Sequence, residues 1–440
     1  MTHDGADGGV RYRRVEPWMI SNVAAGAATG GFLTLLVPPF VTAVTGSAAR
    51  VGIVFAVISV AAVVGPWVGR VADRHGTHRV WYLVSLLAMA GAYVLLAADA
   101  TTARWSPVFG LLIGAAYATQ GTIGPAFVVG SGLPDDVAAR QYVSFSLAYP
   151  VGQFVGSAAV ALAQLAHWGT AAVFWLAAAV VGVLALVTWP TTARPAERLA
   201  AAVRAHDEPG EESPEPGAPT GAAREAERRG RRGRVLASVF GTFLIVVVVS
   251  SIGNNGLTSQ LANVMPATYG FSAAQTSGLL ALSGLLNIPV IVASGAWIVR
   301  RSDLDVYVVG TVVRAVGALA MAVVGLFTTP VLVVAALAML VATQGTPIPR
   351  VAASSLAVRL SPSSATEAEG YYFAASAVGA AVGCLLAGVL ADASSFNGVN
   401  WLAAVAGAVA SVVVLAVLVP RARRRDRAAH AHVPSIMPRG

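Results

Sequence analysis

The chain has 440 residues, 56% of them hydrophobic and 11% charged, with a formal net charge of +8 and a mean hydropathy of +0.70. A soluble chain carries about 25% charged residues, so these figures exclude a disordered chain, a secreted disulfide scaffold and an ordinary cytosolic enzyme. They leave a polytopic membrane protein. One cysteine, Cys384, rules out an internal disulfide and a thiol-based metal pair.

All 29 basic residues are Arg; in a chain rich in Ala, Val and Gly this points to a GC-rich bacterial genome. The pI near 10.1 reads as arginine in cytoplasmic loops rather than as a nucleic-acid surface. From the N-terminus, a tail over residues 1–16 carries Arg11, Arg13, Arg14 and Glu16. Apolar runs long enough for a hydrocarbon core of about 20 residues follow near 18–44, 50–70, 79–98, 105–131, 140–165 and 170–189. Together, residues 17–190 form a first six-helix bundle. No cleavable signal peptide is evident, because the first run is too long and lacks a cleavage site.

Between the second and third runs lies Gly69-Arg70-Val71-Ala72-Asp73-Arg74-His75-Gly76-Thr77-His78-Arg79, a G-x-x-x-D-R-x-G-x-x-R pattern. Gly69 permits close helix approach and Gly76 a tight turn. Asp73 can pair with a neighbouring Arg or face the N-terminal dipole of another helix. Gly69, Asp73, Arg74, Gly76 and Arg79 thus form a candidate conformational latch, against the plainer reading of a cationic cytoplasmic turn.

Residues 191–234 hold nine Arg, eight acidic residues, five Pro and five Gly, the composition of a mixed-charge cytoplasmic linker. Six more runs follow near 235–265, 272–299, 305–327, 330–357, 367–391 and 398–420, so residues 235–420 form a second bundle. Residues 421–440 are a basic tail suited to a lipid surface; its His430 and His432 make a weak case for a metal, and no metal site or cofactor is expected. With alternate loops on one side, 25 Arg fall there and two, Arg50 and Arg104, on the other. The positive-inside rule then places both termini in the cytoplasm.

The second bundle repeats the first. Ala118-Thr119-Gln120-Gly121-Thr122 recurs as Ala342-Thr343-Gln344-Gly345-Thr346, Pro39 as Pro266, and Gly152 and Gly156 as Gly379 and Gly383, with offsets of 224 to 227. Ser47-Ala48-Ala49 likewise recurs as Ser272-Ala273-Ala274. The loop after the second span and the two-times-six plan resemble the major facilitator superfamily over roughly residues 17–420. In the second half Val299 stands where the aspartate would be, and Arg300 keeps the charge. The resemblance implies an all-α membrane fold of twelve helices in two duplicated bundles, working by alternating access. It further implies that spans one, four, seven and ten line the cavity, with two, five, eight and eleven beside them.

In transporters built from repeats, substrate sites lie near the midplane where helices are interrupted. Interruptions are expected at Gly121, Gly124 and Pro125 in the fourth span, at Gly253-Asn254-Asn255-Gly256 in the seventh, and at Gly345, Pro347 and Pro349 in the tenth. Tyr117, Gln120, Tyr149, Gln153, Asn254, Asn255, Asn287 and Gln344 gather at that depth and are the candidate substrate-binding residues. Tyr117 precedes Gln120 by three residues on one helix face, and Tyr142, Ser146, Tyr149 and Gln153 form one stripe of the fifth span. The plainer reading is interhelical hydrogen bonding, worth about 0.6 kcal/mol per contact.

No Asp, Glu or His lies in the middle of a span, so no usual proton relay is offered there. Glu16, Glu367 and Glu369 at the cytoplasmic ends, with Arg350 as their partner in an inner gate, are the gate and coupling candidates. Protons are a candidate coupling ion. Arg314, about 10 residues into the ninth span, is either an anion-binding charge or an arginine reaching toward the headgroups, and the resemblance, which puts that span outside the bundle, favours the second. Resembling drug–proton antiporters carry a Gly-Pro and a Gly pair in the fifth span; here Pro150 precedes Gly152 and neither follows, a departure from that subclass.

The expected function is a secondary transporter of the bacterial inner membrane that moves a small molecule, most readily an exporter of drug-like compounds or metabolites, since single bacterial chains of this type so often export. A neutral sugar transporter is the alternative that the uncharged amides favour. Membrane-embedded enzymes and channels are the remaining classes. No H-E-x-x-H, G-x-S-x-G or Walker loop supports an enzyme. Lipid and the transported molecule are the partners.

Overall fold

A computed structural model describes residues 15–207, 239–327, 331–361 and 365–424. Among them, twelve helices are long and apolar enough to cross a membrane. The first six are α1 (Pro17–Thr45), α2 (Ala48–His75), α3 (His78–Ala98), α4 (Ser106–Val129), α5 (Asp135–Leu165) and α6 (Thr170–Thr191). The second six are α7 (Val239–Tyr269), α8 (Ala273–Arg300), α9 (Asp303–Val324), α10 (Leu332–Leu360), α11 (Ala365–Ala393) and α12 (Phe396–Arg424). Every expected span has its helix, with ends displaced by a few residues. The N-terminal Arg trio, residues 208–234 of the linker and the histidines of the tail lie outside the described residues.

One part of the expected linker is regular. Ala193–Asp207 forms a connecting helix, tied down by Arg198 Nη2, which donates to both carboxylate oxygens of Glu16 (2.8 and 3.0 Å), and by buried Leu199. The carboxylate of Glu16 also accepts from Gln141 Nε2 and from Trp18 Nε1.

Lipid offers no hydrophobic drive for helix pairing, so close backbone approach must supply it. Gly152 and Gly156 of α5 lie directly on Val23 and Ala27 of α1, and their counterparts Gly379 and Gly383 of α11 on Val248 and Ile252 of α7. The duplication legible in sequence is thus a duplicated packing surface.

The breaks fall differently from expectation. α10 does break, at Gly345 and Thr346, because Pro347 and Pro349 have no N–H to return to the preceding carbonyls. α4 and α7 run unbroken. In α4, Pro125 forfeits one backbone bond, which does not end a helix packed against α2, α3 and α5. In α7, Gly253 and Gly256 serve contact instead, with α12 at Ala403 and Ala406 and with α11 at Gly383. Three irregularities among the described residues carry no proline: π-helical stretches over Gly26–Leu33 of α1 and Val414–Leu418 of α12, and a 3-10 turn over Ala62–Val64 of α2.

The core shows how the bundles meet. At the end holding Ser47, Gln260 and Asp392, one apolar cluster runs through both halves, from Phe32, Phe40 and Val51 to Leu261, Met265 and Ala387. At the arginine-rich end the core is divided. Trp18, Tyr82, Phe127 and Phe145 belong to a cluster of the first half, and Phe240, Tyr307, Leu356 and Leu418 to one of the second. The molecule is joined at one end and parted at the other.

Candidate functional site

The joined end is fastened by hydrogen bonds between the halves. Asp392 of α11 accepts from Ser47 Oγ (2.6 Å) and from the backbone N–H groups of Ala48 and Ala49. Gln260 of α7 donates to the Ala48 carbonyl, Asn263 to Thr42, and Ser277 of α8 to Gln164 of α5. Small residues let the backbones touch: Gly52 meets Cys384, and Gly388 meets Ala48 and Ala49.

Deeper, at mid-membrane, the polar candidates separate into two groups. One lies between the halves. Arg350 Nη2 donates to Tyr117 Oη at 3.0 Å, and the Tyr117 ring lies 6.4 Å from that of Tyr149. The Tyr149 hydroxyl in turn bonds Thr29 Oγ1 at 3.0 Å. Beside it, Gln153 packs on Gly30 and on Gly284 of α8, and its Oε1 accepts from Asn287 Nδ2 at 3.4 Å. Asn287 Oδ1 is buried without a partner. Three helices of the first half and two of the second are stitched here, in the order α1, α5, α4 to α10 and α5 to α8.

The other group faces inward within a bundle. Gln120 is buried and donates to the Tyr82 carbonyl and Ser85 of α3. Gln344 donates to the Ser283 carbonyl and hydroxyl of α8. Asn255 bonds the Ser251 carbonyl of its own helix, and Asn254 accepts from Thr346 Oγ1 at 2.7 Å, next to the break in α10. Gln120 therefore does not share the outlook of Tyr117: three residues leave a turn about 60° short, enough to aim one at α10 and the other at α3.

Arg350 and Arg314 depart from expectation. Rather than pairing with Glu367 or Glu369, Arg350 crosses to Tyr117; Glu367 accepts instead from Tyr371 Oη. The break at Gly345 redirects the second segment of α10 and with it this side chain. Arg314 turns into the second bundle, not toward the headgroups: it donates to Ser250 Oγ of α7. There it lines a small cavity with Asn254, Thr258, Thr343 and Thr346. Gly345 lies directly on the Arg314 backbone, which explains the tight fit of α9 on α10.

In the loop between α2 and α3, Gly76 ends α2 in the left-handed conformation (φ 64°). Asp73 Oδ1 bonds His78 Nε2 at 2.7 Å, not an arginine. Arg79 lies 3.9 Å from the Trp189 ring centre and donates to the Trp189 carbonyl of α6. Arg74 is exposed, and Gly69 passes close to Thr122 of α4. These contacts all stay within the first half.

Thr29, Thr346, Ser250 and His78 were not singled out by the sequence. Thr29 had a signal in the run Gly26-Ala27-Ala28-Thr29-Gly30-Gly31, which favours close approach; a lone Ser or Thr in an apolar helix has none.

The sequence model of the Major Facilitator Superfamily matches residues 18–366. No curated protein sequence matches significantly. Among solved structures, a point mutant of the nucleoside transporter NupG is similar at a TM-score of 0.70 and 15% identity, over 91% of this chain and 98% of that one. A mutant of the peptide transporter POT in complex with alafosfalin matches at 0.70 and 15%, over 93% and 94%. At such identity the likeness is one of fold.

Proposed function

The chain belongs to the major facilitator superfamily and is a multi-pass membrane transporter, and we propose that it exports drug-like or metabolite-sized organic molecules from a bacterial cytoplasm by alternating access. The observation that carries the alternating-access part of this reading is the core, continuous at the Asp392 end and divided at the arginine-rich end; the export direction rests on how often single bacterial chains of this type export. By the positive-inside rule the divided end faces the cytoplasm, with both termini. The described state then loads from inside. Residues 17–190 and 235–420 are the two bodies that rock, and the linker 191–234 spans them at the cytoplasmic surface.

Tyr117, Tyr149, Gln153 and Asn287 between the halves are the substrate residues we favour. The loss of Gln120 and Gln344 to contacts within bundles weakens the neutral-sugar alternative, which drew its support from the amides. Of the inner carboxylates, Glu16 is held by Arg198 and Gln141 and Glu367 accepts from Tyr371; Glu367 and Glu369 are the candidates we favour to carry a coupling proton.

The test pairs flux with distance. Spin labels at Tyr142→Cys and Val299→Cys in a Cys384→Ala background should approach one another when a transported compound is added, while proteoliposomes show saturable flux of that compound. A transported compound that leaves the label distances unchanged would count against rocking bodies; flux that never saturates would favour a channel.

A further inference from the structure

Two guanidinium groups lie at mid-depth in the second half, and their partners are hydroxyls. Arg314 donates to Ser250 and Arg350 to Tyr117, and neither has a carboxylate within ion-pair reach among the described residues. Glu369 shares Tyr142 and Tyr372 with Arg350 as electrostatic neighbours, with no ion pair between the two. Tyr372 also feels both arginines. A cation at that depth is tolerated where it faces a water-filled cavity or meets a counter-charge; Arg350 is exposed and Arg314 half-buried, so both are open to an incoming anion. The mid-span sequence supplies no acid as counter-charge.

Arg350 differs from Arg314 in what it faces. It reaches out of its own bundle to the Tyr117–Tyr149 aromatic pair across the parting, where a ligand entering from the arginine-rich end would arrive. A guanidinium presents a planar fork that matches a carboxylate or sulfonate. The two rings beside it offer an apolar wall with hydroxyls at the edge.

We infer that the cavity takes organic anions: an acid group pairs with Arg350, and an aromatic or apolar body lies along Tyr117 and Tyr149. Arg314, one layer behind in the second bundle, adds positive potential without touching the ligand. This rests on the transporter reading above and narrows its substrate class. It also runs against cationic drugs as cargo, since two uncompensated arginines repel them.

The experiment uses the purified full chain and measures binding and thermal stabilisation with 1-naphthoate, naphthalene-1-sulfonate and benzoate. The comparison compounds are the neutral 1-naphthamide and the cationic 1-naphthylmethylamine. The acids should raise the melting temperature by mass action and the amine should not. Arg350→Gln should weaken the acids at least about tenfold, the loss expected for a charge-assisted contact. Arg350→Lys should fall between, and Arg314→Gln should change affinity by less than Arg350→Gln. An unliganded melting temperature near that of wild type in Arg350→Gln and Arg314→Gln separates lost binding from a folding defect.

Equal binding of amide and acid, no acid binding at all, or wild-type acid affinity in Arg350→Gln would each overturn the inference. Flux separates it from the broader reading. Acids that bind but never cross proteoliposomes would leave the anion site standing and sink the transporter role for it; saturable flux of the amide or amine, with acids ignored, would do the reverse.

Discussion

Asp392 of α11 caps the first turn of α2 from the opposite bundle, its carboxylate accepting from Ser47 Oγ at 2.6 Å and from the two N–H groups that follow. A helix begins with four unpaired N–H groups, and here the acceptor belongs to a different rigid body. The cap can exist only while this end is closed, so its stabilisation is specific to one state.

Asp392→Ala should therefore shift the equilibrium toward opening at this end. Loss of a side-chain cap costs about 1 kcal/mol, or roughly a fivefold change in population. Ser277→Cys in a Cys384→Ala background is the reporter, because Ser277 is buried against Gln164 at the same closure. Maleimide labelling should quicken by about that factor. An unchanged rate would mean that Gln260, Asn263 and the glycine contacts hold the end shut without it.

Gly152 and Gly121 make opposite predictions. A methyl at Gly152 would collide with the Val23 backbone of α1, whereas one at Gly121 would meet nothing within 4 Å. Gly152→Ala should destabilise the first bundle by about 1–3 kcal/mol through overpacking and lower its melting temperature. Gly121→Ala should be neutral or mildly stabilising, since alanine is the better helix former. Equal effects would contradict the α1–α5 contact.

The latch reading of the loop after α2 yields a kinetic expectation. The Asp73 side chain is 57% exposed and bonds buried His78, so Asp73→Asn should fold and reach the membrane normally. Transport should nonetheless fall sharply, because the charge is free to engage the other half only when the arginine-rich end closes. Wild-type flux at wild-type abundance would reduce the motif to a cationic turn.

The spans were legible because twenty apolar residues in a row have few other uses, and the duplication because it repeats short polar words such as Ala118–Thr122. The site was legible in part. Tyr117, Tyr149, Gln153 and Asn287 lie between the halves as their depth suggested, but depth does not give azimuth. Gln120 and Gln344 sit at the same level and point into their own bundles. The partner of Arg350 depends on how far α10 turns at Gly345, a tertiary property. For Arg314 the expected route to the headgroups was closed by the fit of Gly345 on its backbone, which leaves the side chain facing α7. In the loop, Asp73 had several arginines in sequence reach, and the local geometry after Gly76 brought His78 to it instead.

The connecting helix offers a last test, of what fastens the linker to the first bundle. Glu16 has 16% of its side chain exposed and Arg198 28%, so water screens the pair only in part, and the charge-assisted contact is worth about 1–2 kcal/mol. Leu199, next in sequence, is a second and independent anchor: it is 3% exposed and packs near Gly130. Glu16→Gln should accelerate backbone hydrogen exchange over residues 193–202 by roughly five- to thirtyfold, leaving α5 and α6 protected. Leu199→Ala should do so as well, by removing buried apolar surface. The two together should release the helix more than either alone, because they act through different contacts. Exchange in Glu16→Gln at the wild-type rate would assign the fastening to Leu199 and leave the Glu16 carboxylate available as a third candidate for the coupling proton.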